Sequence, residues 1–462
     1  MCIYNNSFSH FSQAGFRHKT CYHCYHIGEG GISLQEHLRK ALHAPEVWMI
    51  GINGVIGGGI FLLPGQVAKL AGPQALWAYL VAGGVCILIG LSFAELSSMT
   101  QRTGGAYAYA TAAMGETLGF TVGWMAWLTY LVGWAALANG FVSYLATLFP
   151  VLAPWRAAII ILVIGLLCLL NTLGVKSGSV AIAVFTVAKV VPLLLLIVVA
   201  LFVTHPAMGG SLIHPAHLHF GQAVLILIFA YGGFEMAAIP AGEMVNPRRT
   251  VAVAILGTLL SVTVFYMLIQ GAAMHIDPHL ATAQAPLAEV GRLMFAGGLT
   301  VMTLGAALSI LGTQSGVALA APRTLYALAL DNTLPRFFAY THRRRLTPVR
   351  AIWITGILAI LLAVTGTFQH LLLLNVAARM YEYLMVCLSV IVLRIRPKTR
   401  TTSRPFRLPL GWTLPALASV LSLWLILQES LFQLEVALAA LLVGLALHLL
   451  HRSRRHRLGS ET

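Results

Sequence analysis

Four ionisable side chains sit where apolar chain surrounds them: Lys189 in "SVAIAVFTVAKVVPLLLLIVVA", Glu235 in "FAYGGFEMAAIP", and Arg379 and Glu382 in "LLLLNVAARMYEYLMVCLSVIVL". A charge at the middle of a bilayer costs at least about 2.5–3.5 kcal/mol on insertion scales, so such residues are read first as functional. Lys189 lies ten residues into its run, about 15 Å from the nearer end at 1.5 Å per residue, too deep for its ammonium to reach the headgroups. A lysine so placed can hold an exchangeable proton; the alternative is a structural ammonium tied to backbone carbonyls. Ser309 and Thr313, one helical turn apart in a later run, are candidate hydroxyl partners for it. Glu235 follows a glycine pair and is read as a gate or a sensor of substrate charge, the alternative being a carboxyl bonded to neighbouring helices. Arg379 and Glu382, three residues apart, share a helix face, and this spacing predicts an internal ion pair. Glu95 closes its run at the basic side of the chain, where headgroup water predicts ordinary solvation. Trp127 and Trp134 share a face and are read as packing, with a pocket wall as the alternative.

Two glycine clusters interrupt apolar runs. "GVIGGGIF" (54–61) places Gly57, Gly58 and Gly59 in the first run, and "FAYGGFE" (229–235) places Gly232 and Gly233 in the sixth. Each glycine is about 1 kcal/mol worse than alanine inside a helix. If the helix opens there, backbone N–H and C=O groups are freed that lipid cannot satisfy, so they persist only when buried or lining a wet cavity. Freed N–H groups suit a carboxylate and freed carbonyls an ammonium. Close packing through small residues is the competing explanation for a single cluster; two clusters in corresponding runs favour a broken-helix binding site.

The elements that must position these groups follow from composition. Of 462 residues, 58% are hydrophobic and 9% charged, against about 25% charged in a soluble protein, so the chain lacks the polar surface to face water all round. Twelve apolar runs are long enough to span a bilayer as helices, at about 45–71, 74–98, 117–149, 155–173, 179–203, 219–242, 251–274, 293–325, 349–366, 369–393, 412–428 and 433–450. The alternating ten-residue segments of a membrane β-barrel are absent. Spans 1–5 and 6–10 form two halves of five crossings; an odd number inverts the second half relative to the first, and paired interrupted spans in inverted halves point to a transporter site at mid-membrane. Spans 11 and 12 fall outside the repeat.

Of the 29 lysines and arginines, 24 fall on the side of the termini, which predicts cytoplasmic N- and C-termini. The formal charge of +15 lies in loops without an aromatic–basic module, so nucleic-acid binding is set aside. Residues 1–44 form a polar leader with no apolar h-region, and no cleavable signal peptide is expected. Its "CYHCYH", with Cys21 and Cys24, has metal-like spacing, but a zinc site needs four well-placed ligands. No metal or cofactor is expected. Residues 45–203 and 219–393 are the two halves, 204–218 an outer loop, 394–411 a basic linker suited to anionic lipid headgroups, 412–450 the last two spans and 451–462 a basic tail.

Several stretches together resemble the amino acid–polyamine–organocation (APC) superfamily of secondary transporters: "GVIGGGIFLLPG", "FAELSSMTQRTGGAYAYA", "FAYGGFEMAAIPAGEMVNPRR", "APRTLYALALDNTLP" and "RPFRLPLG". The likeness covers about residues 40–450. It implies a five-plus-five inverted-repeat fold of the leucine-transporter type, with spans 1 and 6 broken, and alternating access. It also implies that a substrate α-carboxylate meets Gly57, Gly58 and Gly59, and that the α-ammonium meets carbonyls of Phe229, Ala230 and Tyr231. Relatives often carry a hydroxyl residue where this chain has Gly58, which removes one side-chain hydrogen bond. Some members have a lysine matching Lys189 where sodium-coupled cousins bind Na⁺, which implies proton coupling through Lys189.

The expectation is an all-α, twelve-helix amino acid transporter of the inner or plasma membrane, coupled to H⁺. An exchanger of an amino acid for another, or for an amine or polyamine, is the alternative. A polytopic membrane enzyme is disfavoured because no HExxH, no glycine-flanked serine elbow and no loop cluster of acids occurs. A channel is disfavoured by the paired broken spans. The sequence leaves the carried side chain, the direction of transport and the oligomeric state open.

Overall fold

The protein is described by a computed structural model over residues 26–28, 31–33, 43–99, 105–174, 179–202, 219–235, 247–342, 345, 347–395, 408 and 410–459. Cys21 and Cys24, the loop 204–218, most of the linker 394–411 and the last three residues of the tail lie outside the described residues. Within the leader, His26–Gly28 (β1) and Gly31–Ser33 (β2) pair antiparallel, with Ile27 opposite Ile32.

Glycine and proline punctuate the first span. Helix α1 (Ala44–Val55) stops at the glycines, α2 (Gly59–Leu62) resumes for one turn, and α3 (Pro64–Ala71) starts on a proline, whose missing N–H is harmless at a first helical position. Helices α4 (Ala75–Met99), α5 (Gly105–Met114), α6 (Glu116–Leu148), α7 (Arg156–Leu173) and α8 (Ser179–Ala200) follow. Helix α9 (Phe220–Tyr231) ends at the second glycine pair. Then come α10 (Pro247–Ile276), α11 (Pro286–Met294), α12 (Gly298–Leu330), α13 (Val349–Thr365), α14 (Phe368–Ile395), α15 (Thr413–Ile426) and α16 (Leu431–Gly459). Among the described residues seven helical stretches are long and apolar enough to cross a bilayer, and five shorter apolar ones, including Val47–Leu62 and Phe220–Tyr231 of the broken spans, accompany them.

The centre of the bundle is α6, against which α12 and α14 both pack along their length. Helices α6 and α12 have 33 residues each, about 50 Å, well beyond the ~30 Å hydrocarbon thickness, so both extend past the core or tilt within it. Helix α7 buries only Ile160, Ile164 and Cys168 and leaves Leu162 and Leu166 exposed, the pattern of a helix whose outer side faces lipid. Buried polar groups are tied down locally. Arg156 donates to the carbonyls of Ala363 (2.9 Å) and Gly366 (2.6 Å) at the end of α13 and to Asn139 Oδ1, closing carbonyls that have no helical partner.

Glu95 departs from the solvated reading. Its side chain is fully buried and accepts from Arg394 Nε (2.7 Å) and Nη2 (2.5 Å) at the end of α14 and from the Leu408 N–H (3.0 Å), while Arg394 also donates to the Gly411 carbonyl. Arg394, Leu408 and Gly411 are thereby gathered at the end of α4, where an arginine and a backbone N–H take the place of the expected water.

Candidate substrate site

Span 1 opens as its glycines predict. Gly58 keeps helical angles but supplies no side-chain cap to α2. On the carbonyl side, other helices supply the missing donors. Lys189 Nζ from α8 donates to Asn53 O (2.9 Å) and Ile56 O (2.8 Å). Tyr266 Oη from α10 donates to Val55 O (3.0 Å), Tyr144 Oη from α6 to Phe61 O (2.5 Å), and Gln270 Nε2 to Pro64 O (3.3 Å). Buried backbone must be paired, and here side chains pair it.

At the second break Gly232 turns the chain to an extended conformation and Gly233 adopts φ +112°, a region costly for any residue with a Cβ. A Cβ on Gly233 would also strike the Gly54 carbonyl. Gly59 packs against Ala230, where an added Cβ would lie 2.7 Å from the Ala230 Cα. The two breaks touch.

Between them lies a cavity of about 60 Å³, lined in part by Gly57, Gly58, Gly59, Phe229, Ala230 and Glu235. Of the nine residues assigned a substrate, proton or gating role from the sequence, these six therefore meet at one place. Tyr231 does not line it: its side chain is buried and donates to Tyr79 O (2.9 Å). Lys189 stands behind the span 1 break. Ser309 Oγ is buried without a hydrogen-bond partner, so it is not bonded to Lys189, whereas Thr313 of the same helix lies against Gly57 and does line the cavity. Ala230 O, expected to be free for an ammonium, also faces Tyr266 Oη at 3.2 Å.

The ion pair within α14 is corrected. Arg379 pairs across the bundle with Glu235, Nη1 to Oε1 at 3.1 Å, and also donates to Tyr383 Oη at 3.2 Å. Tyr383 Oη in turn donates to Glu235 Oε2 (3.2 Å), which also accepts the Gly233 N–H (3.0 Å). The unwound backbone fixes the Glu235 carboxylate in front of the guanidinium, and this outcompetes an intrahelical neighbour that would have to bend back along its own face. Trp127 donates to Thr355 (3.2 Å) and Trp134 is fully buried; neither lines the cavity, as packing predicts. Sequence reasoning missed the wall from α6 and α14, Thr129, Tyr130, Gly133 and Asn375. Among the described residues no cluster of three or more His, Cys, Asp or Glu could hold a metal ion.

Residues 44–446 match the family described as amino acid permease. Among similar proteins, the serine/threonine exchanger SteT of Bacillus subtilis (strain 168) is 29% identical over 86% of this chain and 92% of its own length. The branched-chain amino acid permease BcaP of the same organism is 27% identical over 91% and 95%. The mitochondrial cationic amino acid transporter 3 of Arabidopsis thaliana is 28% identical over 78% of this chain and 63% of its own length. These relatives are transporters and not enzymes, and a polytopic helical membrane protein fits their family. The chain belongs to the amino acid permease family of the APC superfamily.

Proposed function

We propose that this protein carries an amino acid across the cell membrane by alternating access, as a proton-coupled symporter. The observation that carries the reading is the meeting of the two glycine-broken spans over one buried cavity. On the span 1 side the carbonyls are already served by side chains while no side chain caps the N–H groups at Gly58, so Gly57–Gly59 present donors to the substrate carboxylate. Carbonyls of Phe229 and Ala230, which line the cavity, receive the ammonium, with Tyr266 yielding its share of Ala230 O. Glu235, held by Arg379, gates the cavity. Lys189 is the proton site, with Ser309 as a partner in another conformation. Twelve helices in two inverted halves, 45–203 and 219–393, plus 412–450, with leader, linker and tail on the cytoplasmic side beside anionic lipid, complete the proposal.

The test is uptake by proteoliposomes. A symporter accumulates substrate under an inward pH gradient with empty vesicles. Exchange is the second reading, favoured by the 29% identity to a protein named as an exchanger; it requires substrate on both sides and ignores the gradient. Substrate-independent ionic current from the reconstituted protein would overturn the transporter reading in favour of a channel.

A further inference from the structure

The cavity wall contains two charged side chains among the described residues, Glu235 and Arg379, and they neutralise each other. The carboxylate is fully engaged: Oε1 takes Arg379, and Oε2 takes Tyr383 and the Gly233 N–H. A substrate with a charged side chain would bring in a buried charge with no counter-ion, or would have to break this pair and leave one of its members alone, and both are strongly unfavourable.

Asn375 on α14 is different. It lines the cavity, is 1% exposed, and its Nδ2 donates to the Thr129 carbonyl of α6 at 2.5 Å. That bond fixes the orientation of the amide, because only the nitrogen can face a carbonyl. Oδ1 is then turned away from Thr129, and it is buried with no hydrogen-bond partner. A buried amide oxygen left unpaired is unfavourable, and it is relieved by a donor entering the cavity.

Size completes the selection. Gly57, Gly58 and Gly59 line the same cavity, and Gly133 stands so close to Asn375 that a Cβ there would lie 2.7 Å from Nδ2. The cavity of about 60 Å³ has room for only a handful of water-sized groups. A branched or long apolar side chain fills more of this space than a short one and leaves Oδ1 unpaired.

We infer that the cavity selects a small, uncharged amino acid whose side chain ends in a hydrogen-bond donor, a hydroxyl above all, and that Asn375 is the specificity-determining residue that accepts this donor. The inference rests on the transporter reading above and narrows its substrate class.

The experiment is competition against labelled L-serine on the purified full chain, with L-threonine, L-alanine, L-leucine, L-lysine and L-glutamate as competitors. Serine and threonine should compete at least tenfold better than alanine, which lacks only the hydroxyl, and lysine and glutamate should compete least. In Asn375→Leu, and in the smaller Asn375→Ala, the serine-to-alanine preference should collapse to about one, whichever way the absolute affinity moves. If alanine, leucine or lysine matches serine in the wild type, the selectivity is wrong while the transporter reading stands. If both variants keep the wild-type preference, Asn375 does not set it. If neither variant binds alanine, the wild-type serine-to-alanine ratio decides the selectivity alone. If no amino acid binds the wild type at all, the failure lies with the transporter reading itself.

Discussion

Lys189 Nζ holds two carbonyls of the first break at once, Asn53 O at 2.9 Å and Ile56 O at 2.8 Å, at the point where α1 unwinds. An ammonium can donate to both; a deprotonated amine has fewer hydrogens and no charge with which to hold them. Proton binding at Lys189 therefore favours the arrangement of the break seen here, and coupling follows if the other arrangement lacks these acceptors. Lys189→Met should abolish accumulation driven by a pH gradient in proteoliposomes while leaving an inserted, folded protein that retains exchange. If the variant concentrates substrate under the gradient as the wild type does, the coupling proton sits elsewhere, with Glu235 the next residue to test.

The glycines of the first break should not be equivalent. A Cβ on Gly59 meets the backbone of Ala230, which cannot rotate away, whereas one on Gly57 meets the Thr313 side chain, with Oγ1 at 2.7 Å and Cβ at 3.5 Å. Gly59→Ala should lower uptake at least tenfold with no second-site cure at Ala230. Gly57→Ala should lower it less, and Gly57→Ala with Thr313→Ala should restore it, because the remaining contact is ordinary. Equal loss in the single variants, unrelieved in the double one, would show that space at Thr313 does not matter.

The Glu95–Arg394 pair predicts an asymmetry in stability. Arg394→Ala leaves a fully buried carboxylate with the Leu408 N–H as its remaining donor, whereas Glu95→Gln leaves a guanidinium whose side chain keeps 11% exposure. Removing one partner of a buried pair costs about 3–5 kcal/mol. Arg394→Ala should fall in that range and Glu95→Gln below it, read as apparent melting temperature in detergent. Combining Glu95→Gln with Arg394→Met should recover part of the loss. The reverse order of the single variants would mean that the arginine anchors the linker chiefly through Gly411.

Glu429, in the turn between α15 and α16, is buried with both carboxyl oxygens unpartnered, and burial pushes its pKa up from the ordinary 4.5 to about 8. The folded state thus holds a proton that the unfolded chain releases from about pH 4.5 upward. Stability should fall as pH rises from about 4.5 to 8 and level off above. Glu429→Gln should flatten this dependence and be the more stable protein at pH 8. Parallel melting-temperature profiles of variant and wild type would remove Glu429 as the source.

The sequence is legible where one residue type decides. Proline and glycine mark the interruptions of spans 1 and 6, and the span limits agree with the helices to within a few residues over most of the chain. Short helices between spans were missed. In α11, Pro286 at the first position, Glu289 in the first turn and Arg292 in the last are the usual end signals, but they occupy only nine residues. Partner choice was the least legible. The spacing of Arg379 and Glu382 reports only that they share a face, and the partner chosen lies 144 residues away at a break whose position is set by packing. Asn375 and Thr129 carried no signal, since hydroxyl and amide residues are common in membrane helices and only the cavity distinguishes these two.

Tyr266 has one hydrogen to give and two carbonyls within reach, Val55 O at 3.0 Å and Ala230 O at 3.2 Å, one from each broken span. At any instant one is served and the other waits. Tyr266→Phe should therefore slow transport more than it lowers substrate affinity, a split that steady-state uptake kinetics can read. A small turn of the phenol moves its hydrogen from one helix end to the other, so Tyr266 ties the two broken spans to one hinge whichever carbonyl it serves.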